Sequence, residues 1–413
     1  MIKLNFDIKK HLLPNGLEIL TIKKDTQISS INIGIKVGAL YEKVNEKGIS
    51  HFIEHMLFKG TNKRTFQALN DELEALGGEY NAYTDFTSTV YSISCLEEEL
   101  INGIEILSDM VTSSVFLQEE IEKERGVILA EIRTSKDSVE DLSFKRANEV
   151  AFKKGPLRYD VAGVEKNVKK FNHKDLYTFY KKHYIANNSV ITMVSSFEHE
   201  EALKMIQEHF GEWKSGDITS LKVKDEKNVK TKEITVKENI ELNTIIYLYT
   251  FYELDKEYEL PLRILNHRLG ESSNSLLFRE IRENRGLAYD IYSHLDVTKH
   301  VKTLYIYTAV DEEDIDSAIE AIDETLLGIK EGKIEIGEKD LNIMKKVHKT
   351  AVVSTLEDPV ELCSYILTQS VEGEDIFEFL DDMDSLNNIT KDKIYNVANK
   401  VLNNPTIHIL KSS

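Results

Sequence analysis

At 413 residues the chain is longer than one ordinary hydrophobic core serves, and its length predicts two to three domains. An apolar share of 41% beside 30% charged residues is that of a soluble globular protein. A net charge of −19 excludes a nucleic-acid binder, which needs a basic face, and a chamber lined by part of this charge would attract cationic peptides.

No run approaches the roughly 18 apolar residues of a membrane span, and the first residues lack an apolar core of signal-peptide length. Cys95 and Cys363 lie far apart and make neither a metal spacing nor a disulfide framework. A cytoplasmic protein is expected.

Taken in order, Leu17 to Ile22 follows the turn signal Pro14-Asn15-Gly16 and reads as a strand. Ile31, Ile33, Ile35 and Val37 alternate with Asn32, Gly34 and Lys36, the period-two pattern of a half-buried strand. The stretch Gly48 to Thr61 comes next, with a helix expected to stop at Gly60. It carries His51-Phe52-Ile53-Glu54-His55, and on a helix the spacing i, i+3, i+4 puts His51, Glu54 and His55 on one face. Two neutral imidazoles so placed can hold one Zn²⁺, with a carboxylate beside them able to take a proton from water.

A second helix starts at the N-cap Thr65, presents Phe66, Leu69, Leu73 and Leu76, and closes at Gly77-Gly78. Tyr80 to Thr84 then reads as extended and Thr89 to Cys95 as a strand. One helix carries Leu100, Ile104, Leu107 and Val111; the next runs from Gln118 to Ile132. On that helix Glu124, Ile128 and Glu131 share a face. Glu131 lies amid Ile128, Leu129, Ala130 and Ile132, where an unpaired carboxylate is costly and a nearby cation would remove the cost.

Val139 to Phe152 and Asp175 to His183 continue helical, Ser189 to Val194 is a strand, and a helix through Leu203, Ile206 and Phe210 ends the first half at Trp213. The charged segment 214–232 reads as a linker between an N-terminal domain, 1–213, and a C-terminal domain, 233–413. The second half repeats the layout of the first. Gly77-Gly78-Glu79-Tyr80-Asn81-Ala82-Tyr83-Thr84 aligns with Gly286-Leu287-Ala288-Tyr289-Asp290-Ile291-Tyr292-Ser293 at an offset of 209 (286 − 77), which means two homologous domains. The same offset carries the metal helix to Leu260 through Leu265, where no His-x-x-Glu-His stands. The expected fold class is α+β: two homologous α/β-sandwich domains, each a mostly antiparallel sheet packed with helices, only the first with a metal site.

Four motifs in order carry a resemblance: Gly48 to Thr61, Gly77 to Thr84, Glu124 to Ile132 with Asp137 to Leu142 after it, and Leu277 to Ser293. Together the chain resembles the processing-peptidase branch of the pitrilysin–insulysin zinc metallopeptidases. These are inverzincins, named for the His-x-x-Glu-His order, and include the mitochondrial processing peptidase and short bacterial homologues. Lys153-Lys154-Gly155-Pro156 and Ser195-Ser196 depart from the family pattern without touching the chemistry. Residue by residue, the resemblance implies that His51, His55 and Glu131 ligate one Zn²⁺ per chain, that Glu54 is the catalytic base and that Glu124 supports the site. It also implies that Asn81 and Ala82 lie on the edge strand that pairs with an extended peptide, and that Arg282 and Tyr289 contact substrate near the cut bond.

The implied activity is a zinc-dependent endopeptidase acting on extended, possibly basic, peptides inside a closed chamber. Full-length relatives build that chamber from four such domains, so two chains are expected to pair, as a homodimer or with a related subunit. The alternative is a non-catalytic or partner-dependent subunit that keeps the fold.

Overall fold

The computed structural model describes residues 4–218 and 223–413, so the expected linker at 214–232 falls partly outside the described residues. The fold is α+β, with eleven strands among the described residues in two sheets. The first sheet holds β1 (Phe6–Leu12), β2 (Glu18–Lys24), β3 (Ile28–Ile35), β4 (Glu79–Thr84), β5 (Thr89–Leu96) and β6 (Ser189–Ser195) in the order β1-β2-β6-β3-β5-β4. The second holds β7 (Thr231–Lys237), β8 (Asn243–Thr250), β9 (Asp290–Val297), β10 (Lys302–Val310) and β11 (Thr406–Ser412) in the order β7-β11-β8-β10-β9.

Without β1 the two orders correspond strand for strand. Each contains one parallel pair, β2 with β6 and β7 with β11, and every other pairing is antiparallel. The repeat legible in the Gly/Tyr pattern is thus a repeat of topology, with β4 and β9 as matching free edges. Strand β1 was not expected from the sequence. It is an edge strand whose charged Lys9 and Lys10 face solvent, which masks its apolar signal and guards the edge against stray pairing.

The chain forms two compact units that are not contiguous in sequence. One comprises Met1–Ile132, Asp160–Val223 and Val352–Glu378; the other comprises Arg133–Tyr159, Lys224–Ala351 and Phe379–Ser413. A division at a linker therefore misses two helical segments that leave their own half of the sequence. The physical reason is that each sheet is buried on both faces.

In the first unit Ile31, Ile33 and Ile35 join Phe52, Ile53 and Met56 in one core. Each such burial contributes roughly 1.5–3 kcal/mol. The opposite face of β3, with Ser30 and Asn32, looked solvent-facing by its alternation. It is buried under the helix Pro359–Glu372: Asn32 donates to Ser364 Oγ at 3.1 Å, and Thr192 of β6 donates to the Cys363 carbonyl at 3.0 Å. Hydrogen bonds to a helix let polar side chains be buried where a sequence pattern places them outside. In the second unit the helix Val139–Ala151 covers β8 and β11 in the same way, with Phe144 stacked on Tyr307 at 5.8 Å.

The helices that position the site are α1 (Ile49–Leu57), α2 (Phe66–Ala75), α3 (Leu100–Ser113) and α4 (Gln118–Asp137). Helix α1 ends at Leu57 rather than Gly60, and α4 runs five residues past the expected Ile132, to Asp137 (137 − 132). Strand β4 starts directly after α2 because Gly77 takes φ +64° and Gly78 lies against β5, where a Cβ would sit 2.0 Å from the Ser94 carbonyl oxygen. Among the described residues no helix is long and apolar enough to cross a membrane.

Candidate metal centre

Helix α1 is amphipathic in a way its sequence dictates. Ile49, Phe52, Ile53, Met56 and Leu57 point into the core, which leaves His51, Glu54 and His55 on the opposite face. Helix α4 is anchored by Ile121, Ile128 and Ile132, and presents Glu124 and Glu131, two turns apart, toward those histidines. Glu131 lies 3.9 Å from His51 Nε2 and 3.6 Å from His55 Nε2, and the three donor atoms fall within 4.8 Å of one another. Among the described residues this is the one group of three or more His, Cys, Asp or Glu side chains so gathered.

The donor set fits a zinc ion. Bonds of about 2.0–2.1 Å in a tetrahedral site put neighbouring donors roughly 3.4 Å apart, close to the 3.9 and 3.6 Å that separate Glu131 from the two imidazoles. Two imidazoles and one carboxylate leave a fourth position open, the arrangement of catalytic rather than structural zinc. Burial, with His55 adding, pushes His51 down to about 4, so its ring is neutral and ready to ligate at pH 7. The Nδ1 of His51 is buried without a hydrogen-bond partner.

Burial also works to lower His55, but the hydrogen bond to Glu124 and the charges of Glu131 and Glu54 outweigh it and raise the ring above its ordinary value. His55 Nδ1 lies 3.0 Å from Glu124 Oε2, and the other oxygen of Glu124 takes an ion pair from Lys59 Nζ at 2.8 Å. Burial would raise the Glu124 carboxyl; the bonds from His55 and Lys59 win and hold it below its usual range. A carboxylate so placed fixes which imidazole nitrogen carries the proton and leaves Nε2 facing Glu131.

The two glutamates differ from expectation. Glu131 keeps 44% of its side chain exposed, whereas Glu124 is buried at 7%. The cost of an unpaired buried carboxylate therefore falls on Glu124, and His55 and Lys59 remove it. Helix α4 turns Ile128 and Ile132 into the core and rotates Glu131 out, a phase that the local run of apolar residues conceals.

Glu54 lies one turn from His51 and accepts a 2.6 Å hydrogen bond from the Thr84 hydroxyl of β4. Burial raises its carboxyl, and the Thr84 bond only partly offsets this. Strand β4 is the free edge of its sheet and packs against α1. Tyr80, Ala82 and Thr84 alternate with Asn81 and Tyr83 along it, and the Asn81 side chain accepts from the Ala82 amide at 2.9 Å. Arg282 and Tyr289 belong to the second unit. Arg282 lies on the helical segment Phe278–Asn284 with its guanidinium over the Phe278 ring at 4.8 Å. Tyr289 precedes β9, donates its amide to the Ala309 carbonyl at 2.9 Å and leaves its side chain 71% exposed.

Reading the sequence alone passed over Lys59, Thr84 and Glu42. Lys59 stands four residues past His55, a helical spacing that was available as a signal. Thr84 and Glu42 carry no local mark, because their partners come from other elements. Glu42 is buried at the start of α1 and accepts from the amides of Gly48 at 2.9 Å and Ser50 at 2.8 Å. Burial pushes its carboxyl up to about 7 despite these bonds.

Comparison with known proteins adds family information to this geometry. Residues 18–165 match the family model described as Insulinase (Peptidase family M16), and residues 170–347 match Peptidase M16 inactive domain. The chain is 31% identical over 421 residues to a protein of Rickettsia felis named an uncharacterized zinc protease, covering 98% of this chain and 97% of that one. It is 27% identical over 420 residues to the mitochondrial-processing peptidase subunit beta of Saccharomyces cerevisiae, covering 96% and 89%. The crystal structure of a protease from Helicobacter pylori superposes with a TM-score of 0.91 at 22% identity, over 98% of this chain and 99% of that one, a likeness of fold.

Proposed function

Given that the chain belongs to peptidase family M16, the insulinase family, we propose that it is a zinc-dependent endopeptidase that hydrolyses extended peptides. The observation that carries this reading is the convergence of His51, His55 and Glu131 within 4.8 Å of one another, with Glu54 adjacent and held by Thr84. In it, His51, His55 and Glu131 hold the metal and Glu124 orients His55. Zinc, when bound, supplies a Lewis acid and lowers the pKa of the water it carries to about 7.

The remaining chemistry belongs to the chain. Glu54 takes the proton of the attacking water and hands it to the leaving amine. The backbone of β4 around Asn81 and Ala82 takes the peptide as an added strand, so only extended segments bind. Thr84 ends that same strand, and its bond to Glu54 ties the base to the substrate's track.

In this reading Arg282 and Tyr289 are substrate-contacting residues, the role that the family resemblance implies for them. The exposed Tyr289 hydroxyl and the Arg282 guanidinium, which has no ion-pair partner among the described residues, suit hydrogen bonds to a peptide carbonyl. Two copies of the chain, or this chain and a related subunit, pair to enclose the substrate. A fully active monomer in sedimentation would overturn the pairing.

The deciding experiment is cleavage of extended peptides by the purified chain, with and without a chelator, beside Glu54→Gln. Cleavage is expected to stop on chelation and to fall by at least about 100-fold in Glu54→Gln with zinc still bound. Equal cleavage by both zinc-loaded proteins refutes the mechanism. Zinc binding without cleavage by the wild type points to a non-catalytic subunit.

A further inference from the structure

The two metal-facing histidines ride on a helix of nine residues, and what holds the start of that helix is unusual for its sequence. The N-cap is Gly48 at φ +99°, which has no side chain with which to cap, and the first turn carries no acidic residue. The amides that such an end leaves without intrahelical partners are instead taken from a distance. One buried carboxylate, Glu42, accepts from Gly48 N through Oε2 at 2.9 Å and from Ser50 N through Oε1 at 2.8 Å. The residue next to Ser50 is His51. No side chain fits at Gly48, where a Cβ would lie 2.8 Å from the Ala162 carbonyl oxygen.

Glu42 is anchored in turn. Two residues of its own segment, Ala39 and Leu40, donate their amides to the Asp85 carbonyl at 3.0 Å and the Phe86 carbonyl at 2.8 Å, in the turn that follows β4. Lys47 closes the segment on itself through the Ala39 carbonyl. The start of α1 and the turn after β4 are therefore tied through residues 39–48, while Glu54, half-way along the helix, is tied to Thr84, the last residue of the same strand. These ties add to the packing of Phe52, Ile53 and Met56 in the core and hold the polar face of the helix at two points.

We propose that Glu42 is a positioning residue of the metal centre. Its carboxylate sets the first turn of α1, and hence the two imidazoles, relative to the strand on which the peptide lies. The inference rests on the metallopeptidase reading above and deepens it. A neutral glutamine in place of Glu42 has one accepting atom and turns its amide group toward the second N–H, so one of the two bonds is lost.

The test compares wild type, Glu42→Gln and Glu42→Asp as full chains. It measures zinc affinity by competition with a chromophoric chelator, kcat and KM on an extended peptide at saturating zinc, and melting of the zinc-free proteins. Glu42→Gln is expected to bind zinc about tenfold more weakly, as loss of a supporting partner does in metal sites. Its kcat is expected to fall while KM stays within twofold, because the backbone of β4 is untouched. Glu42→Asp keeps two carboxyl oxygens to accept both amides and recovers part of the affinity. Should Glu42→Gln melt below the assay temperature, Glu42→Asp replaces it, with an intermediate loss expected.

Wild-type affinity and kcat in the folded variant overturn the proposal and leave Glu42 a cap for the fold alone. If the wild type binds zinc but cleaves nothing, the peptidase reading fails while the affinity comparison still judges Glu42. If the wild type binds no zinc, both fall.

Discussion

Replacing Glu124 by glutamine removes one charge from a buried carboxylate of the centre and changes little in shape. Glu124 accepts from His55 Nδ1 at 3.0 Å and from Lys59 Nζ at 2.8 Å, and each such charge-assisted bond contributes about 1.5–3 kcal/mol. A glutamine oxygen facing Lys59 leaves the amide nitrogen facing His55 Nδ1. Two donors then meet unless the imidazole moves its proton to Nε2, the nitrogen 3.6 Å from Glu131. That proton stands where a metal ligand's lone pair is needed. The expected loss is about 10–100-fold in zinc affinity, or roughly 1.4–2.7 kcal/mol.

The effect is expected to hold from pH 6 to 8. Glu124 lies below its ordinary value in the folded chain, so its contribution is present above the unfolded carboxyl value near 4.5 and is lost only as pH falls through the lower folded one. Lys59→Met alone spares the His55 bond and costs little affinity. Combined with Glu124→Gln it relieves the lysine left without its anion, so the two changes couple by about 0.5–3 kcal/mol in the stability of the zinc-free protein. Chelator competition and urea unfolding of the four proteins measure both quantities. Zinc bound by Glu124→Gln within twofold of wild type would show that the His55–Glu124 contact does not govern the tautomer.

Thr84→Val keeps the volume of the side chain and deletes its 2.6 Å bond to Glu54; kcat is expected to fall about tenfold with KM unchanged, and Thr84→Ser to retain activity, in steady-state peptide cleavage. In the second unit, burial, with Arg146 adding, pushes His408 down to about 4. The folded chain then refuses a proton that the unfolded chain accepts near 6.5, so stability is present above 6.5 and drains away as pH falls toward 4. His408→Phe is expected to flatten this acid loss by about 2 kcal/mol at pH 5, read from urea midpoints at pH 5 and 7. Parallel pH slopes for the two proteins would refute it.

The outcome for particular segments shows where sequence reasoning holds. The strand Thr89 to Cys95 and the helix with Leu100 and Val111 stand where their periods put them, as β5 and α3. Strand β3 was legible as a strand but not as a strand buried on both faces, since the helix over Ser30 and Asn32 begins at Pro359. The charged segment 214–232 looked like a boundary, yet residues 133–159 and 352–378 pack with the other half's sheet. Composition marks where the chain is polar; it does not say which sheet a distant helix will cover.

Within the site the same line can be drawn. His51, Glu54 and His55 share a helical face by spacing alone, because 3.6 residues per turn is a local property of the backbone. The alternation that makes β4 a strand and the Gly/Tyr pattern repeated at an offset of 209 are equally local marks. The register between elements was not written in any window of residues. Packing of the core turned α4 so that Glu124 is buried against His55 and Lys59 while Glu131 stays half exposed beside both imidazoles. Sheet pairing brought Thr84 to Glu54, and a segment bonded to the following turn carried Glu42 to the start of α1. Local dihedral preference determines which side chains share a face; only burial of both sheet faces and saturation of buried polar groups determine which faces meet.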